Sequence, residues 1–95
     1  MGMKTIVIQI GYSDNKLTQK EWSDYVDEVH RLIQSEACAI HFFGGSSTYA
    51  PWQNVCIVAA MSLPLIAIVS MQLHSIRQRY RQDSIAVLSG DCEFI

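Results

Sequence analysis

The apolar residues of this chain switch from a repeat of two to a repeat of about 3.6 and back again, and they do so twice. That succession, strand–helix–strand followed by strand–helix–strand, restricts the chain to folds that mix helices with a sheet. The first half opens with K-T-I-V-I-Q-I-G (Lys4–Gly11), where Ile6, Ile8 and Ile10 share one side of a strand and Val7 and Gln9 the other. A polar loop, Tyr12–Lys16, follows. Thr18-Gln19-Lys20-Glu21 then matches a capping box, with Leu17 and Trp22 placed for a hydrophobic staple. Trp22, Tyr25, Val26, Val29, Leu32 and Ile33 recur at helical spacing and predict a helix over 18–35. A second strand is expected over Cys38–Phe43, closed by Gly44-Gly45.

The second half repeats the order without repeating the residues. Gly44–Asn54 reads as a long loop with two glycines, two serines, Pro51 and two aromatics. Val55–Ala60 is apolar on both sides, as a central strand is. Ser62 can cap a second helix with Pro64 in its first turn, and Leu65, Val69, Gln72/Leu73, Ile76 and Tyr80 form its buried stripe. Asp83-Ser84 ends it, Ile85–Leu88 is a further strand, and Gly90-Asp91 would turn the chain into a last short strand, Cys92–Ile95.

Ninety-five residues at 49% hydrophobic and 17% charged make one domain, residues 1–95, with one core, and exclude a disordered tail. Met1-Gly2 reads as a cloning remnant before a start at Met3. A net charge of -2 is too small for a duplex nucleic-acid binder. Cys38, Cys56 and Cys92 form no C-x-x-C pair, which speaks against a zinc ribbon or disulfide scaffold and for a reducing, cytoplasmic setting. No secretion signal is visible. Asn54–Leu73 carries no formal charge and has the length of a membrane span, about 20 residues. A single-pass membrane protein is therefore a remote alternative, opposed by Ser62, Pro64, Ser70 and Gln72, and no membrane partner is expected.

Two split β-α-β units in succession are the signature of a ferredoxin-like βαββαβ sandwich, α+β in class, with two helices on one face of a four-stranded antiparallel sheet. The other face would carry Val7, Gln9, Ala39, His41, Phe43 and half of the 55–60 strand. It is too apolar for free exposure, so a homo-oligomer through that face is expected, in the form of a dimeric α+β barrel.

The two polar-aromatic loops are the candidate site. Tyr12, Ser13 and Asn15 come from the first, and Ser46, Ser47, Tyr49, Trp52 and Gln53 from the second, with Arg81 and the strand residue His41 as further candidates. Hydroxyls, amides and flat faces in this mixture suit a planar polar or nucleotide-like ligand better than a metal, a fatty acid or a bare ion. The first and second strands are read as running oppositely, which would make the site composite across a subunit interface. No nucleophile elbow, H-E-x-x-H or G-x-G-x-x-G occurs, so neither cofactor nor metal is expected. The function indicated is a small non-catalytic binding module for such a ligand or a partner protein, of the accessory or inhibitor kind that mobile elements and phages encode. The alternative is a cofactor-free enzyme on the dimeric barrel with His41 as general base. His30 and His74 are expected on the surface, and Arg77, Arg79 and Arg81 as cations favoured by a helix C-terminus.

Overall fold

The computed structural model describes residues 2–12, 17–46 and 53–95, and of Tyr12 only the backbone. The elements are β1 (Met3–Tyr12), α1 (Gln19–Glu36), β2 (Ala39–Gly45), β3 (Gln53–Ser62), α2 (Leu63–Arg79) and β4 (Ala86–Gly90). They form one sheet in the order β2-β3-β1-β4, antiparallel at every pairing. Ile6, Ile8 and Ile10 of β1 and Ile57, Ala59 and Met61 of β3 all turn toward the helices and are buried. Onto them α1 lays Trp22, Tyr25, Val29 and Ile33, and α2 lays Val69, Leu73 and Ile76. Each large aliphatic side chain taken from water in this way contributes about 1.5–3 kcal/mol. The result is a ferredoxin-like sandwich.

The start of α1 is fixed locally. The Glu21 amide donates to Thr18 Oγ1 at 3.1 Å and the Thr18 amide donates to Glu21 Oε1 at 3.0 Å, while Leu17 and Trp22 are both buried in the core. Thr18→Ala leaves one helix-end amide unserved and is expected to lower stability by about 1 kcal/mol, read by chemical denaturation. At α2, Ser62 occupies the cap position without a side-chain hydrogen bond, so Pro64 in the first turn is the surviving start signal.

α2 ends in paired 6→1 and 5→2 bonds, Gln82 N–H to Arg77 O at 3.1 Å and Arg81 N–H to Gln78 O at 3.0 Å. That geometry demands a left-handed residue, and Arg81 supplies it at φ 59 where glycine is usual. The same arginine donates to Glu21 Oε2 at 2.9 Å. Glu21 thus serves the cap of α1 and the end of α2 together. Its carboxyl is held below the usual range by the Thr18 amide first and Arg81 second. Two turns on, Arg79 and the Tyr80 hydroxyl both donate to Glu28, which is likewise lowered, with Arg79 the main cause.

Between these ties Tyr25 stacks on Tyr80 at 5.0 Å and meets Trp22 edge-on at 5.9 Å. Its hydroxyl is buried with no hydrogen-bond partner among the described residues, and burial pushes its pKa up to about 12. An unserved buried donor costs about 1–3 kcal/mol. Tyr25→Phe is therefore expected to raise the thermal midpoint, a gain of about 1 kcal/mol or more; a lowered midpoint in calorimetry would show that the hydroxyl is served after all.

The sheet corrects the sequence reading in four places. The β2–β3 register slips between Ile40 and Phe42, so His41 is the extra residue of a β-bulge. Beyond it Phe42 aligns with Val58 on the open face and Phe43 with Ile57 on the helix face, the reverse of the expected placement of Phe43. His41, expected mid-strand on the open face, is the bulged residue of an edge strand and is exposed. Second, β1 and β2 are each antiparallel to β3 and so run parallel to one another. The segments that follow them leave the sheet at one end of a single chain, where the sequence reading places them at opposite ends. Third, both hairpin strands run further than expected, β2 to Gly45 and β3 from Gln53. Gly45 is required there, since a Cβ on it would stand 2.0 Å from the Asn54 carbonyl oxygen. Fourth, residues 91–95 form no strand. The uncharged stretch 54–73 divides between β3 and α2, and among the described residues no helix is long and apolar enough to cross a membrane.

Candidate functional site

Three connections meet at the end of the sheet where β1 and β2 finish: the β1–α1 loop, the β2–β3 loop and the turn from α2 into β4. Tyr12 pairs with Gln53 across β1 and β3, and Ser46 binds Asn54, with the Asn54 amide donating to Ser46 Oγ at 2.9 Å and the Ser46 amide to Asn54 O at 2.8 Å. Arg81 reaches the same end through Glu21 at the start of α1. Of the candidate residues, the structure gathers Tyr12, Ser46, Gln53 and Arg81 here. Ser13, Asn15, Ser47, Tyr49 and Trp52, and the side chain of Tyr12, lie outside the described residues. His41 stands apart, in the bulge of β2.

A cleft of about 470 Å3 opens at this end between α1 and the β2–β3 hairpin. One wall is α1, with Trp22, Ser23, Asp27 and His30; the other is the hairpin, with Phe43, Ser46, Gln53 and Asn54. His30 and Phe43 lie nearly parallel, 3.9 Å between ring centres and 10° between planes. The bulge creates this stack, because the extra residue His41 puts Phe43 on the helix side of the sheet, where it meets His30 while staying 42% exposed. Asp27 is paired with Arg31 one turn along the helix, so the cleft is rimmed by amides, hydroxyls and one neutralised carboxylate. Its volume falls within the range of small-molecule sites, about 300–1,000 Å3. Among the described residues no three histidine, cysteine, aspartate or glutamate side chains lie together as a metal would require.

Sequence reading missed His30, Ser23, Asp27 and Phe43 as cleft residues. A signal was there: Gln19, Ser23, Val26, Asp27 and His30 recur at three- and four-residue spacing beside the core stripe of α1, which marks a second shared face.

The open sheet face is the other distinctive surface. Met3, Thr5, Val7 and Gln9 line up with Ser62, Ala60, Val58 and Cys56, flanked by Ala39 and Phe42 on one side and Ala86 and Leu88 on the other. No acidic or basic residue occurs among these positions. Phe42 is 52% and Leu88 68% exposed.

No family model and no curated protein matches this chain. Among solved structures it is similar to the de novo designed protein Foldit4, with a TM-score of 0.69 at 7% identity over 97% of this chain and 100% of the other. It is also similar to the uncharacterized protein TM1266 from Thermotoga maritima, with a TM-score of 0.57 at 14% identity over 97% of this chain and 100% of the other. At such identities the likeness is one of fold, and a backbone that a designed sequence also adopts carries no function of its own. By architecture, then, this chain is a ferredoxin-like domain that any functional assignment must reach through its own side chains.

Proposed function

We propose that this protein is a non-catalytic binding module that holds a planar polar ligand, nucleotide-like in chemistry, in the cleft between α1 and the β2–β3 hairpin. The observation that carries the reading is the His30–Phe43 stack, two flat rings 3.9 Å apart, in a cleft whose polar lining includes Ser46, Gln53 and Asn54. Planar heterocycles offer a face to such a platform and an edge of donors and acceptors to the surrounding amides. Calorimetric titration with a panel of nucleosides, nucleotides and free nucleobases tests it. Binding by at least one of them is expected, weakened ten-fold or more by Phe43→Ala and abolished by Ser23→Tyr, which fills the cleft from the helix side. Binding that ignores both substitutions, or no binding by any compound of the panel, removes the ligand assignment.

The module is further proposed to act as a homodimer, a second copy covering the open sheet face. Four strands spaced about 4.8 Å and five to ten paired residues long present a footprint of about 500 Å2 before side-chain relief is counted. That footprint is more than half of the roughly 800 Å2 per partner of a standard stable interface. Its paired positions carry no charge, and the bordering Asp91 is already paired with Lys4, so like-charge repulsion does not oppose its pairing with itself, as an isologous contact requires.

A further inference from the structure

We propose a second ligand site on this molecule, a cleft between α2 and β4 that takes a small monocarboxylate bearing an apolar tail. α2 packs against α1 and β3 and leaves β4 uncovered, so Val87 stays 40% exposed although it points to the helix side of the sheet. The gap holds about 310 Å3 and is lined by Ser70, Leu73, His74, Arg77, Ile85 and Val87.

The chemistry of its lining is lopsided. The three other arginines each face a carboxylate: Arg31 faces Asp27, Arg79 faces Glu28 and Arg81 faces Glu21. Arg77 forms no ion pair among the described residues. Its Nη1 donates to the carbonyls of Gln82 at 2.7 Å and Asp83 at 3.2 Å, and its Nη2 donates to His74 Nδ1 at 2.8 Å. A guanidinium can only donate, so Nδ1 accepts and the ring proton of neutral His74 sits on Nε2. Arg77 spends three of its five N–H groups in this way. What remains is one uncompensated positive charge, a histidine N–H and the Ser70 hydroxyl beside a wall of Leu73, Ile85 and Val87. One net charge matches a monoanion and not a phosphate dianion, and the aliphatic wall matches a short branched chain. Hydrogen bonds from a cation to a carboxylate are about twice as strong as neutral ones, which makes the charge the selective element.

Amide-detected NMR titration of the whole chain tests the site, with 3-methylbutanoate as the probe and 3-methylbutanamide, acetate and inorganic phosphate as comparisons. Saturable shifts are expected at Ser70, His74 and Val87, with the branched acid at least ten-fold tighter than its amide or acetate. Arg77→Gln should weaken binding ten-fold or more. Since Arg77 also holds the carbonyls after α2, His74→Ala, which leaves those bonds in place, should still weaken it three- to ten-fold, and Ser70→Phe should fill the cleft and abolish it. Equal binding of acid and amide overturns the proposal. So does equal or tighter binding of phosphate, shifts that map elsewhere, indifference to His74→Ala and Ser70→Phe, or no saturation up to about 20 mM acid.

Discussion

Trp22→Ala is expected to cost about 3–5 kcal/mol, the range for emptying a buried tryptophan site that cannot collapse. Trp22 is 5% exposed, packs edge-on against Tyr25, and shares the core with Leu17, its staple partner across the cap of α1. Removing the indole therefore opens a cavity and loosens the helix start in one step. A domain of this size has about 5–15 kcal/mol in total, so the loss is a large fraction of it. Thermal denaturation followed by circular dichroism should show a midpoint lower by about 12 °C or more. Trp22→Phe, which keeps most of the ring, should fall between the two. A midpoint within a degree or two of the wild type would mean that the indole contributes nothing to the core.

Leu88→Glu is expected to abolish the proposed dimer. In a symmetric face-to-face contact each substitution appears twice, and a carboxylate without a partner costs several kcal/mol to bury. The dissociation constant should rise by about 1,000-fold or more. Phe42→Asp on the opposite edge strand should do the same, whereas Phe43→Lys should leave assembly intact, because the bulge turns Phe43 to the helix side. Sedimentation velocity at micromolar concentration reads all three. A monomeric wild type, or a Leu88→Glu variant that assembles normally, eliminates self-association through this face and leaves it to a partner of another sequence.

What could be read from the sequence was what is encoded locally. The capping box lies within four consecutive residues and both of its bonds form. Ile6, Ile8 and Ile10 declare their shared side by alternation alone, and all three are buried. The bulge could not be read. In A-I-H-F-F nothing distinguishes an inserted residue from continued alternation, since the insertion is defined only against β3. Two adjacent phenylalanines made the ambiguity worse, because either could be the inward one. The direction of β2 was legible in principle: a crossover helix returns the chain to its starting edge, so the strand after it repeats the direction of the strand before. The strand expected over 92–95 does not form, and Asp91, read as part of the turn into it, is paired with Lys4 of β1 at 2.7 Å. The cleft depended on all of this. Whether a polar helix face meets water or a hairpin is settled by residues distant in sequence, and His30 becomes part of a platform only through Phe43.

The parallel course of β1 and β2 also sorts the molecule into two poles. Met3 pairs with Ser62, and Gly90 with Thr5, so residues 3 and 90 both sit at the pole opposite the three connections. A tag, a surface anchor or a further domain fused before the one, and the chain after the other, both start from that pole. Immobilised by either end, the domain would display its loop pole outward with the same orientation. Sequence in those connections could then be exchanged for new recognition surfaces while the attachment side and the buried isoleucine rows stay as they are.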